Sequence, residues 1–142
     1  MEDDRKIKDI YKCKYVETDG EIYPLQKWYN RLIDKRVSEL EVSDILRMIR
    51  QNEFMDIAIS KAVDYLKENP FAGDMYEGEL LEKISSISIE RLTDYIGEIK
   101  DILSNAIIKN QDYEWLDEDE RKEFAEEIIN FSDKINNLYN HI

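Results

Sequence analysis

Apolar residues recur at steps of three and four along most of this chain, broken by only two prolines and four glycines. That spacing gathers side chains on one face of a helix, whereas a half-buried strand needs strict alternation, which is scarce here. The prediction is an all-α fold, a single compact bundle of about six helices. After Pro24, well suited to a first helical turn, Leu25, Trp28, Tyr29, Leu32 and Ile33 form one apolar face. Ser43 is placed to cap a short helix carrying Ile45, Leu46, Met48 and Ile49. Met55, Ala58, Ile59, Ala62, Val63 and Leu66 mark the next helix, which Pro70 stops. Leu80, Leu81 and Ile84 mark a short one, and Ser88 then heads a long helix with the stripe Ile89, Leu92, Ile96, Ile99, Leu103, Ala106 and Ile107. In the last helix Asp117 is the expected N-cap, with Glu120 completing a capping box, before the seam Phe124, Ile128, Phe131, Ile135 and Leu138. Ahead of these, Ile7, Ile10 and Tyr11 fit a short helix, while residues 15–20 read equally as an extended arm and turn.

A chain of 142 residues is one domain's worth of protein, so residues 1–142 are expected to form one helical domain. Its net charge of -13 argues against a protein that grips nucleic acid by its phosphates or lies on an anionic membrane, since either needs a basic face. A basic partner is the natural complement. The charge is unevenly placed: residues 1–51 carry 11 bases and 11 acids, and residues 52–142 carry 9 and 22. All of the excess acid therefore lies in the later part. The single cysteine, Cys13, can make neither an internal disulfide nor a cysteine metal cage, which suits a reducing cytoplasm. The acidic start Met1-Glu2-Asp3-Asp4 and the lack of a long apolar run predict no secretory signal and no membrane span.

Catalytic chemistry has little to build on. The only histidine, His141, sits next to the end of the chain, so no serine or cysteine nucleophile has a credible base. Cys13 reads as an ordinary thiol, and no glycine loop of the phosphate-binding kind is present. The carboxylate pairs Glu79/Glu82 and Glu123/Glu127 lie one helical turn apart, but in so acidic a chain they read first as solvated helix faces. No cofactor and no metal are expected.

The surface signals point to association. Between residues 112 and 127 stand Asp112, Glu114, Asp117, Glu118, Asp119, Glu120, Glu123, Glu126 and Glu127, opposed only by Arg121 and Lys122, with Tyr113 and Trp115 at the start. One reading is structural: the acids favour a helix N-terminus, and Trp115 with Leu116 staples that corner to the core. The other is an acidic patch with an aromatic anchor, in which charge steers encounter and Trp115 supplies contact energy.

Three segments carry a resemblance. They are Lys35 to Gln51, reading KRVSELEVSDILRMIRQ; Ala58 to Pro70, reading AISKAVDYLKENP; and Gly73 to Leu81, reading GDMYEGELL. In order and spacing this run resembles the helical immunity proteins of contact-dependent growth inhibition systems. Departures are Glu79 where the family pattern has Asp, Glu77 where it has proline, and Lys61 in the apolar helix. The resemblance implies a non-enzymatic cytoplasmic protein that binds and neutralises the C-terminal domain of a toxin delivered by a neighbouring cell. Such toxins are often nucleases, whose surfaces are basic because they hold phosphates, so an acidic inhibitor complements them. In the turn, Gly73 and Gly78 are expected to take positive φ, Asp74 to accept backbone N–H groups and Tyr76 to pack over the turn. Asp74, Tyr76, Glu77 and Glu79 are the candidates there for facing the toxin, beside Asp112, Glu114, Trp115, Asp117, Glu118, Asp119 and Glu120. The rival readings are a helical adaptor for another basic protein and an enzyme using carboxylate-bound Mg.

Overall fold

The computed structural model describes residues 4–16 and 24–140, with side chains to residue 137. Among them are eight α-helices: α1 Ile7–Tyr11, α2 Pro24–Ile33, α3 Val42–Gln51, α4 Met55–Glu68, α5 Glu79–Ser85, α6 Ile89–Leu92, α7 Ile96–Asn110 and α8 Glu118–Asn140. No β-strand is formed among the described residues, although an isolated antiparallel bridge joins Lys6 to Arg36. The fold is all-α, as the apolar spacing requires. No helix of the described residues is long and apolar enough to cross a membrane.

Packing follows the predicted faces. Helices α3 and α4 pack together, α7 packs along α8, α4 joins the two pairs by its contact with α7, and α5 packs against α3 and α4. A continuous buried cluster runs from Ile7 through Leu32, Ile45, Ile59, Leu80 and Ile99 to Phe131 and Ile135. Each such side chain contributes roughly 1.5–3 kcal/mol when fully removed from water. The seam Phe124, Ile128, Phe131 and Ile135 is buried throughout; the side chain of Leu138 lies outside the described residues.

Several boundaries differ from expectation for local reasons. α3 starts ahead of Ser43, because Asp44 accepts the Glu41 N–H at 3.0 Å and holds Lys35 at 2.8 Å. The expected long helix after Ser88 is broken by a tight 3-10 turn over Thr93–Tyr95, where the Thr93 hydroxyl donates to the Glu90 carbonyl. Leu25 and Ile107, assigned to apolar faces, are about half exposed: Leu25 sits in the first turn of α2, and Ile107 at the edge of the α7 stripe. Of the arm expected at residues 15–20, only Tyr15 and Val16 are described. Both are tied to the bundle: the Tyr15 hydroxyl donates to Asp34 at 2.6 Å, and the Val16 N–H donates to Asn30 at 2.8 Å.

Candidate functional site

The most elaborated surface lies where the turn after α4 meets the start of α8. Pro70 cannot continue α4, and Asn69 closes it by accepting the Phe71 N–H at 3.0 Å. The chain then doubles back, with the Gly78 N–H on the Phe71 carbonyl at 2.8 Å and the Leu80 N–H on the Ala72 carbonyl at 3.0 Å. The acceptor inside the turn is not Asp74 but Glu79. Its carboxylate is buried, 4% exposed, and takes the N–H groups of Asp74 and Met75, both at 2.9 Å. Asp74, one position into the loop, is left facing solvent. The two glycines also divide their roles. Only Gly78 has positive φ, at 85°, whereas Gly73 is needed because a Cβ there would stand 2.0 Å from the Tyr76 carbonyl oxygen.

Opposite this turn, the α7–α8 connection is held by aromatic stacking. Phe71 stacks on Tyr113 with centroids 3.8 Å apart, and Trp115 meets Phe71 edge-on at 5.7 Å and Phe124 at 5.5 Å. The Trp115 indole N–H donates to Asn110 at 2.8 Å. Trp115 is thus built into the corner, while Leu116, expected to staple it, is 96% exposed. Asp117 accepts the Glu120 N–H at 2.9 Å, as a cap should, but Glu120 reaches back to the Leu116 N–H at 3.2 Å. Arg121 is consumed locally: its guanidinium binds the Asn110 and Tyr113 carbonyls and pairs with Glu118.

Between turn and helix runs an open groove of 790 Å³. Seven carboxylates line it: Glu77 and Glu82 from one side, Glu114 from the connection, and Glu120, Glu123, Glu126 and Glu127 from α8. No lysine or arginine lines it, and none of the seven is in an ion pair among the described residues. The electrostatics record the crowding. Burial, then the Glu82 charge, pushes the Glu127 carboxyl up to about 7 against the opposing pull of Lys83. The Tyr76 hydroxyl donates to Glu82 at 2.6 Å, and that bond, followed by burial, holds its proton well above the ordinary tyrosine range. Tyr113 is pushed up to about 12 by burial and by its hydrogen bond with Glu77.

Of the named contact candidates, Tyr76, Glu77, Glu114, Trp115 and Glu120 come together on this groove. Asp112, Asp117, Glu118 and Asp119 are exposed on the connection and first turn of α8 outside it, and Asp74 lines an adjoining hollow of 500 Å³. Glu123, Glu126 and Glu127 belong to the acidic run of residues 112–127, and Glu82 to the Glu79/Glu82 pair, without being among the named contact candidates; Met75 is added by the structure. The steps from Glu120 to Glu123 to Glu127 place those three on one helical face, a signal present in the sequence. Among the described residues no three metal-ligating side chains converge, and the Glu79 oxygen of the Glu79/Glu82 pair is occupied by backbone N–H groups.

Comparison with known families decides the class. Residues 9–102 match the family model described as CDI immunity proteins, where CDI is contact-dependent growth inhibition. The chain belongs to that family. No curated protein matches it. This immunity protein is accordingly a toxin inhibitor and not an enzyme. The matched segment contains the turn from Gly73 to Leu81 and ends within α7, so the α8 wall of the groove lies beyond it.

Proposed function

We propose that this immunity protein acts in the cytoplasm, binding the C-terminal domain of a nuclease toxin and covering its basic, phosphate-holding surface. The observation that supports this most directly is the groove, with seven lining carboxylates and no lining base. A nuclease must present cations to phosphates, and an acidic surface both steers encounter with it and competes with nucleic acid. The proposed interface comprises Asp74, Tyr76, Glu77, Asp112, Glu114, Trp115, Asp117, Glu118, Asp119 and Glu120. Glu79 serves it from inside the turn, by holding the backbone of Asp74 and Met75.

The test is to express the immunity protein with the toxin domain encoded immediately upstream and to assay that domain on RNA and DNA. Cleavage abolished at one equivalent of inhibitor, with an association rate that falls steeply as salt rises, is the expected result. A toxin domain that cleaves neither polymer would overturn the nuclease reading, and a salt-independent rate would overturn the electrostatic one.

A further inference from the structure

Acidity alone does not account for the shape of the groove's rim. Two large apolar side chains line it in water, one from the turn and one from the α7–α8 connection: Met75 is 80% exposed and Leu116 is 96% exposed. Neither sits on a loose backbone. The Leu116 N–H is held by Glu120 between the packed Trp115 and the capping Asp117, and the Met75 N–H is held by the buried Glu79. The corner therefore presents both side chains outward on fixed supports, where burial by a partner gains contact area without first ordering the backbone. Unbranched methionine also adapts to the shape it meets.

Charge decides what covers them. A second copy of this chain would bring another surface from a protein of net charge -13 against seven carboxylates, and an anionic bilayer would be repelled in the same way. We infer that the groove receives an amphipathic basic segment of the toxin, with a large apolar side chain seated between Leu116 and Met75 and flanking Lys or Arg side chains toward Glu82 and Glu127. The inference rests on the reading of this protein as an inhibitor of a basic toxin, and it moves the apolar anchor from Trp115, already packed, to these two side chains.

The experiment measures binding of the upstream-encoded toxin domain to intact immunity protein at about 0.15 M and about 0.5 M NaCl. Leu116→Ser and Met75→Ser change exposed side chains, and circular dichroism checks that both variants fold. Each is expected to weaken binding about tenfold to a hundredfold, mainly through faster dissociation and by a similar factor at both salts, as lost apolar burial requires. Glu82→Gln with Glu127→Gln should instead reduce the salt dependence itself. Ile108→Ser, at an exposed apolar residue outside the groove, should leave affinity unchanged. If wild type binds tightly but the Leu116 and Met75 variants both bind within about twofold of it, the groove inference fails while toxin inhibition stands. If wild type does not bind the toxin domain, both fail. A toxin-free dimer in sedimentation that Leu116→Ser dissociates would assign these side chains to a second copy and overturn the inference.

Discussion

Trp115 and Asn110 are joined by a 2.8 Å hydrogen bond that ties the end of α7 to the start of α8. Asn110 is only 6% exposed, and its amide also donates to the Arg121 carbonyl at 3.2 Å, so one side chain fixes both sides of the connection. Replacing it with alanine leaves the indole N–H without that acceptor. Asn110→Ala is expected to cost about 1–3 kcal/mol, read as a lower midpoint in urea unfolding. A midpoint equal to wild type would show that ring stacking and the Arg121 bonds to the Asn110 and Tyr113 carbonyls hold the corner without the Asn110 side chain.

The glycines give a prediction with opposite signs. A Cβ on Gly73 would stand 2.0 Å from the Tyr76 oxygen, and one on Gly78 would stand 3.0 Å from the Phe124 ring at a φ of 85°. Gly73→Ala and Gly78→Ala should each destabilise by about 1–3 kcal/mol, through backbone displacement and strain. Gly97 lies in α7, and a Cβ there would meet nothing within 4 Å, so Gly97→Ala should stabilise by about 0.5–1 kcal/mol. Thermal unfolding of the three variants distinguishes them by sign.

Glu79 tests whether the turn depends on a single carboxylate oxygen. Oε1 accepts both the Asp74 and Met75 N–H groups. Glu79→Ala strands both donors and should cost about 2–4 kcal/mol, while Glu79→Gln, which keeps an acceptor oxygen, should cost clearly less. Amide exchange at Asp74 and Met75 should quicken in the alanine variant before exchange in α7 does. Equal losses for the two variants would contradict the acceptor role.

Glu127 predicts a pH dependence. It faces Glu82 and Lys83 from α5 and Tyr76 from the turn, beside Glu120, Glu123 and Glu126 on its own helix. Its folded carboxyl titrates at about 7 instead of 4.5, so between those values the folded state holds more protons than the unfolded one. The stability from this group is complete below pH 4.5 and is lost as pH rises through about 7. Glu127→Gln should therefore stabilise the protein at about pH 8, by about 1 kcal/mol after allowance for solvent screening, and give no such gain at about pH 4. Unfolding midpoints of both proteins across this range provide the check, and an equal gain at both ends would rule out the titration.

The helices were legible because burial imposes a period on the sequence. The six helices of seven residues or more all answer to apolar stripes, down to the Phe124–Ile135 seam. The acidic excess was likewise a property of composition, and the three segments between Lys35 and Leu81 pointed to the family that the match over residues 9–102 establishes. What periodicity could not supply was any relation between residues distant in the chain. Whether Glu79 or Asp74 faces inward depends on where the turn closes, and whether Trp115 or Leu116 is free depends on Asn110, Phe71 and Phe124 filling the corner. Nor does a one-dimensional charge count show that Arg121 is spent on backbone carbonyls, leaving seven carboxylates around one groove. Helix formation is local, set by side-chain spacing, so the sequence determined the elements and the family; the groove is a meeting of two segments some forty residues apart, and only tertiary packing decides which side chains that meeting buries and which it leaves in water.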